Sequence, residues 1–144
     1  MGIDALAVSS NGDFLLSFDT TVALAGGMVA DDDDVVDADG GGFVFVYQFT
    51  GRVAGGLDLD GLASSPGGDT WYLSFDGSGE LAGVGFDDED ILAWNGTSAT
   101  LLFDGSAGAP GWSAADLADF AILPSAIFAD GFETGDAARW SAAP

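Results

Sequence analysis

Eight carboxylates stand in two four-residue runs, Asp31-Asp32-Asp33-Asp34 and Asp87-Asp88-Glu89-Asp90. Four adjacent acids repel one another, by about 1 kcal/mol per close pair in water and several times that near a protein surface. A hard cation offsets that cost, and Ca²⁺ takes 6–8 oxygen ligands from carboxylates and backbone carbonyls. The runs are therefore candidate Ca²⁺ sites, with all eight residues as candidate ligands. The competing explanation is a solvated sheet edge, where Asp satisfies local turn N–H groups and charge blocks edge-to-edge pairing. Neither run has EF-hand spacing: around Asp37-Ala38-Asp39-Gly40 the first ligand position is Val35, and Val46 stands where the bidentate Glu belongs. Asp58-Leu59-Asp60-Gly61 is a weaker candidate of the same kind.

Other chemistry is limited by what the chain lacks. It has no His, Cys or Lys, so His-ligated metals, cysteine nucleophiles, disulfides and histidine acid–base catalysis are excluded. Carboxylate pairs alone can hydrolyse glycosides. However, of the three glutamates, Glu80, Glu89 and Glu133, only Glu89 falls in an acidic run, and no catalytic residue stands out. Gly77-Ser78-Gly79 lacks the lysine of a phosphate loop and predicts a turn. Trp71, Tyr72, Trp94 and Trp112 are candidates for a carbohydrate platform. Aromatics in alternating strands are ordinarily core, and Trp71 and Tyr72 must point to opposite faces. That leaves Trp112, after Ala109-Pro110-Gly111, as the candidate exposed ligand-binding residue.

The formal net charge is −22, from 24 acids against Arg52 and Arg139. No cationic surface exists to displace counterions from nucleic acid or to dock on an anionic membrane. No apolar stretch reaches the roughly 18 residues of a membrane span. Of the acids, 21 are Asp, which favours turns over helices. With 23 Gly and 48% hydrophobic residues, the composition predicts one all-β domain with a real core. Met1-Gly2 runs directly into a strand, so we expect either a removed leader or a piece of a longer protein.

Those strands recur. The two acidic runs align at an offset of 56, as do Ile3-Asp4-Ala5-Leu6-Ala7 and Leu59-Asp60-Gly61-Leu62-Ala63. Leu16-Ser17-Phe18-Asp19 aligns with Leu73-Ser74-Phe75-Asp76 at 57, and Phe49-Thr50-Gly51 with Phe103-Asp104-Gly105 at 54. A third copy starts at Leu117-Ala118-Asp119-Phe120-Ala121-Ile122. Residues 1–123 thus form a repeat domain of two units, about 3–56 and 57–113, plus the first strand of a third at 117–123. Each unit predicts four strands: 4–9, 14–19, 35–38 and 43–49, then 59–64, 70–76, 90–94 and 99–103. Asn11-Gly12 predicts a tight left-handed hairpin turn, and alternation places Phe43, Phe45, Tyr47 and Phe49 on one face.

The strand–turn–strand from Asp4 to Asp19 and the acidic segment Asp87-Asp88-Glu89-Asp90-Ile91-Leu92 resemble the blades of bacterial secreted β-propeller-like repeat proteins. The resemblance covers roughly residues 3–123 and implies two four-stranded blades and the beginning of a third. Two units cannot close a ring that takes four or more blades. Ring completion would need self-association or the remaining blades of a longer chain, and a single sandwich or barrel is the alternative architecture. The segment 124–144 is a separate tail. Asp130-Gly131-Phe132-Glu133-Thr134-Gly135-Asp136 with Trp140-Ser141 is similar to a C-terminal tail of many secreted bacterial proteins, which implies export. The expectation is a non-enzymatic extracellular or cell-surface module for structure, adhesion or ligand binding, carbohydrate included, with Ca²⁺ at the acidic runs as its candidate stabiliser. The alternative is a fragment of a propeller-type Ca²⁺-dependent hydrolase or lactonase.

Overall fold

The computed structural model describes residues 2–53, 56–108 and 111–122, and the tail expected at 124–144 lies outside them. The fold is all-β, with antiparallel sheets of which none closes into a barrel. The first unit is a four-stranded sheet in the order β1 (Ile3–Val8), β2 (Phe14–Phe18), β5 (Asp34–Ala38), β6 (Phe43–Gln48). The second repeats it with β7 (Gly61–Ser64), β8 (Trp71–Ser74), β11 (Ile91–Trp94) and β12 (Ala99–Phe103). All eight expected main strands are present. Between the second and third strands each unit also carries a small hairpin that the sequence reading missed. It is β3 (Val22–Ala23) with β4 (Val29–Ala30) in the first unit, and β9 (Gly79–Leu81) with β10 (Val84–Phe86) in the second.

The hairpins are themselves equivalent. Val22 pairs with Ala30, and at the matching place Gly79 pairs with Phe86. The larger side chain has changed strand: a Cβ on Gly79 would meet the Phe86 ring at 2.8 Å. The loop between the first two strands is one residue longer in the second unit, and the hairpin tip is one residue shorter. The tip is Ala25-Gly26-Gly27 in one and Ala82-Gly83 in the other, which explains an offset that moves from 56 to 57 and back.

Three details differ from expectation. The β1–β2 connection spans Ser9–Asp13, with Ser9 N donating to the Asp13 carbonyl, and only Gly12 is left-handed (φ 93°), not an Asn-Gly pair. The register of β11 and β12 places Phe103 opposite Ile91 as Tyr47 stands opposite Val35, so Phe103 is equivalent to Tyr47 and not to Phe49. Both ladders carry an irregularity at the same point, Val35/Val36 and Ile91/Leu92. An extra residue in one strand flips the side-chain alternation beyond it. Consequently Phe43 and Phe45 pack on one face of the first sheet while Tyr47 and Phe49 pack on the other, against the single-face expectation.

The main core lies between the two sheets. One face of the first sheet (Ala5, Ala7, Leu15, Val35, Phe49) packs on Leu59, Leu62, Leu73, Phe75, Leu92 and Trp94 of the second unit. A second cluster (Leu16, Phe18, Val22, Ala30, Val36) lies on the opposite face of the first sheet, under its hairpin. Alanines at the centre of β1 let it run close against β7, and Ser64 Oγ donates to the Val8 carbonyl at 3.2 Å.

Candidate functional site: acidic turns and carboxylate pairs at the repeat junctions

Each acidic run folds into a turn that leads into the third main strand of its unit. In the first, Asp34 N donates to the Asp31 carbonyl at 3.1 Å, and Asp31 N donates to Asp34 Oδ2 at 3.0 Å. In the second, Asp90 N donates to the Asp87 carbonyl at 3.1 Å, and Asp87 N donates to Asp90 Oδ2 at 3.0 Å. The last acid of the run therefore ties the turn shut from both directions, which is a turn role that Asp fills well. Asp90 Oδ1 also accepts from Gly105 N at 3.1 Å, whereas the second partner of the Asp34 carboxyl is the Gln48 side chain.

The remaining acids of the runs diverge. Asp31 accepts from Thr21 Oγ1 at 2.9 Å, and Asp33 accepts from Thr50 Oγ1 at 3.0 Å. Asp33 and Asp34 are buried, and burial is the main reason that both carboxyls are pushed above the usual range. Asp87 and Asp90 line a shallow cleft with Asp104, Ser78 and Ser106. There Asp104 Oδ1 is taken by Ala107 N and Ser106 Oγ, both at 2.8 Å. Among the described residues no group of three or more acidic side chains is arranged to hold a metal ion. Of the eight run residues, Asp31, Asp33, Asp34 and Asp90 turn oxygens towards N–H or hydroxyl donors.

The same turns join one unit to the next. The Asp32 carbonyl accepts from Leu59 N at 3.2 Å, and the Asp88 carbonyl accepts from Leu117 N at 3.0 Å. Leu59 opens the second unit and Leu117 opens the third copy, so one clasp is used twice. Ser17 Oγ donates to the Asp32 carbonyl at 3.1 Å; its equivalent, Ser74 Oγ, donates to the Leu117 carbonyl at 3.0 Å. Leu117–Ile122 has no strand pairing, yet it follows the expected path: a Cβ on Gly61 would meet the Phe120 ring at 2.8 Å. Val8, Ser64 and Ile122, equivalent positions of the three copies, line one cleft.

Alongside the clasps lie two carboxylate pairs. Asp4 and Asp58 share a hydrogen bond, and so do Asp60 and Asp116. Asp4 is equivalent to Asp60, and Asp58 to Asp116, so both pairs link a unit to its successor. Burial, reinforced by the charges of Asp4, Asp32 and Asp76, pushes Asp58 up to about 7. Burial together with the Asp116 hydrogen bond pushes Asp60 up to about 7, although Ser74 Oγ donates to Asp60 Oδ1 at 3.1 Å. Two carboxyls in hydrogen-bond contact hold one proton between them, since both cannot ionise cheaply. A further pair of matched caps fixes the start of each unit: Gly2 N donates to Asp19 Oδ1 at 2.7 Å, and Asp58 N donates to Asp76 Oδ1 at 2.8 Å.

The sequence reading singled out Asp58 and Asp60 but gave Asp116 no role. The signal was present in the Asp-Leu dipeptides Asp58-Leu59 and Asp116-Leu117, which stand 58 residues apart. Trp112 is 45% exposed, with its ring against Phe103 at 6.0 Å. Trp94 is buried, and Trp71 packs edge-on to Tyr47 at 6.2 Å, so both belong to the core side of the second sheet. Comparison with known proteins returns no match among family models, curated proteins or solved structures.

Proposed function

We propose that the chain is a non-enzymatic repeat module of an extracellular or cell-surface protein, built from blade-like units and serving structure, adhesion or ligand binding. One observation carries this reading. Among the acids that invited a catalytic or metal assignment, Asp34 and Asp90 close equivalent turns, Asp32 and Asp88 clasp equivalent junctions, and Asp58 and Asp60 sit in equivalent carboxylate pairs. Chemistry at a single active site would not need the same hydrogen bonds twice. Ligand binding would fall to the exposed Trp112, whose ring offers a stacking face to a sugar.

On this reading Ca²⁺ has no dedicated cage, and the charge is screened by any salt. Ca²⁺ and NaCl at matched ionic strength are expected to raise the melting temperature equally. A distinctly larger rise with Ca²⁺, lost in Asp87→Asn, would establish the cation assignment instead. A second reading, a fragment of a propeller-type hydrolase, is favoured by the neutral-range carboxyls of Asp58 and Asp60, since a general acid needs such a pKa. It predicts glycoside or lactone hydrolysis that Asp58→Asn or Asp60→Asn abolishes without unfolding the chain.

A further inference from the structure

The two faces of the first sheet have different fates. One covers the second unit. The other, which carries Leu6, Val8 and Phe14, is 52–56% exposed at these three residues. In the second unit the equivalent face is buried against the first: Leu62, the counterpart of Leu6, is 2% exposed, and Trp71, the counterpart of Phe14, packs on the core. The reverse holds on the opposite face. Val46 of the first unit packs into the core, while its counterpart Leu102 in the second is 52% exposed. Among the described residues the chain thus exposes one half of this interface at Leu6, Val8 and Phe14 and the other half at Leu102, while Phe120 of Leu117–Ile122 covers Gly61 on that second half.

We propose that the exposed Leu6–Val8–Phe14 face is the docking surface for the Leu102-bearing face of the second unit in another copy of this chain. This rests on the repeat equivalence and goes beyond the functional reading above. The internal junction is the template. The incoming β1 would take the path now held by Leu117–Ile122, which forms no strand and is tied by the Leu117 N and Ser74 Oγ bonds. The contact is heterologous, so it propagates from chain to chain or closes as a ring. A charge of −22 per chain opposes it, and at 1 M salt the screening length falls to about 3 Å.

The test is light scattering of the full chain across concentration in 1 M NaCl, with Leu6→Asp, Leu102→Asp and their equimolar mixture. Both substitutions are at exposed positions, and circular dichroism confirms that each variant keeps its β content. The wild type is expected to form species larger than a dimer, and each variant alone to stay monomeric. The mixture is expected to yield a dimer that grows no further, because each variant retains one intact half. A monomeric wild type at every concentration would overturn the proposal, whether the face is bare or covered by the chain's own tail. A dimer formed by Leu102→Asp alone would overturn it too, since that result requires the Leu6 face to pair with itself.

Discussion

Leu6 and Leu62 occupy the same place in two copies of one sheet, and only their neighbours differ. In the second unit the surrounding positions are Leu73, Phe75, Leu92 and Trp94, sealed by the first sheet. In the first unit they are Leu16, Phe18, Val36 and Ala38, covered on one side by the β3–β4 hairpin. Trp94, one of the two largest side chains of the second face, thus corresponds to Ala38. A core position is set by what lies across from it: Leu6 keeps the residue type of Leu62 without the sheet that covers Leu62.

The largest expected effect probes that contrast at its centre. Trp94→Ala should lower the unfolding free energy by about 3–5 kcal/mol, as for a buried aromatic. At the solvent-facing Phe14 the same truncation should cost about 0.5 kcal/mol or less. Urea denaturation of the two variants measures the difference.

Next in size is the pH dependence of the junctions. In the folded chain Asp58 and Asp60 are pushed up to about 7, against a reference value of 3.8. The folded state therefore binds more protons than the unfolded state between these limits. The stability this confers is complete below about pH 4 and is lost as pH rises through 7. The melting temperature should rise by several degrees as pH falls from 8 to 5, and the double variant Asp58→Asn/Asp60→Asn should flatten that profile.

The turns supply a smaller contrast. Asp90 accepts from two backbone donors, Asp87 N and Gly105 N, whereas Asp34 accepts from Asp31 N and from the flexible Gln48 side chain. Asp90→Ala should cost about 1–3 kcal/mol and Asp34→Ala about half as much, since hydrogen bonds to charged groups are the stronger ones. The smallest effect lies at the hairpin tips. Ala82 holds φ 52°, a left-handed conformation. The first unit uses Gly26 and Gly27 at the matching tip. Ala82→Gly should raise stability by about 1 kcal/mol, because only glycine enters that region without a Cβ clash.

The main strands were legible because their apolar alternation is long enough to register and because it recurs. The β3–β4 hairpin was not, since two-residue strands such as Val22–Ala23 are too short to show a period. The face switch between Phe45 and Tyr47 depends on an irregularity opposite Val35/Val36, and an extra residue leaves no mark in composition. The acidic runs were visible as clusters, but their use was not. Whether Asp34 binds a cation or the Asp31 N–H depends on where the chain turns. The carboxylate pairs were the least legible, because Asp4 meets Asp58 only after the first sheet has packed on the second.

The central claim is that the part of the repeated sheet face around Leu62 is buried in the second unit, while its counterpart around Leu6, Val8 and Phe14 is exposed in the first. Paired urea unfolding of Leu62→Ala and Leu6→Ala, at a protein concentration where the chain is monomeric, tests it most directly. Leu62→Ala is expected to lose about 2–5 kcal/mol, and Leu6→Ala about 0.5 kcal/mol or less. Equal losses at the two positions would contradict the packing of the first unit on the second, and with it the account of the chain as stacked repeats.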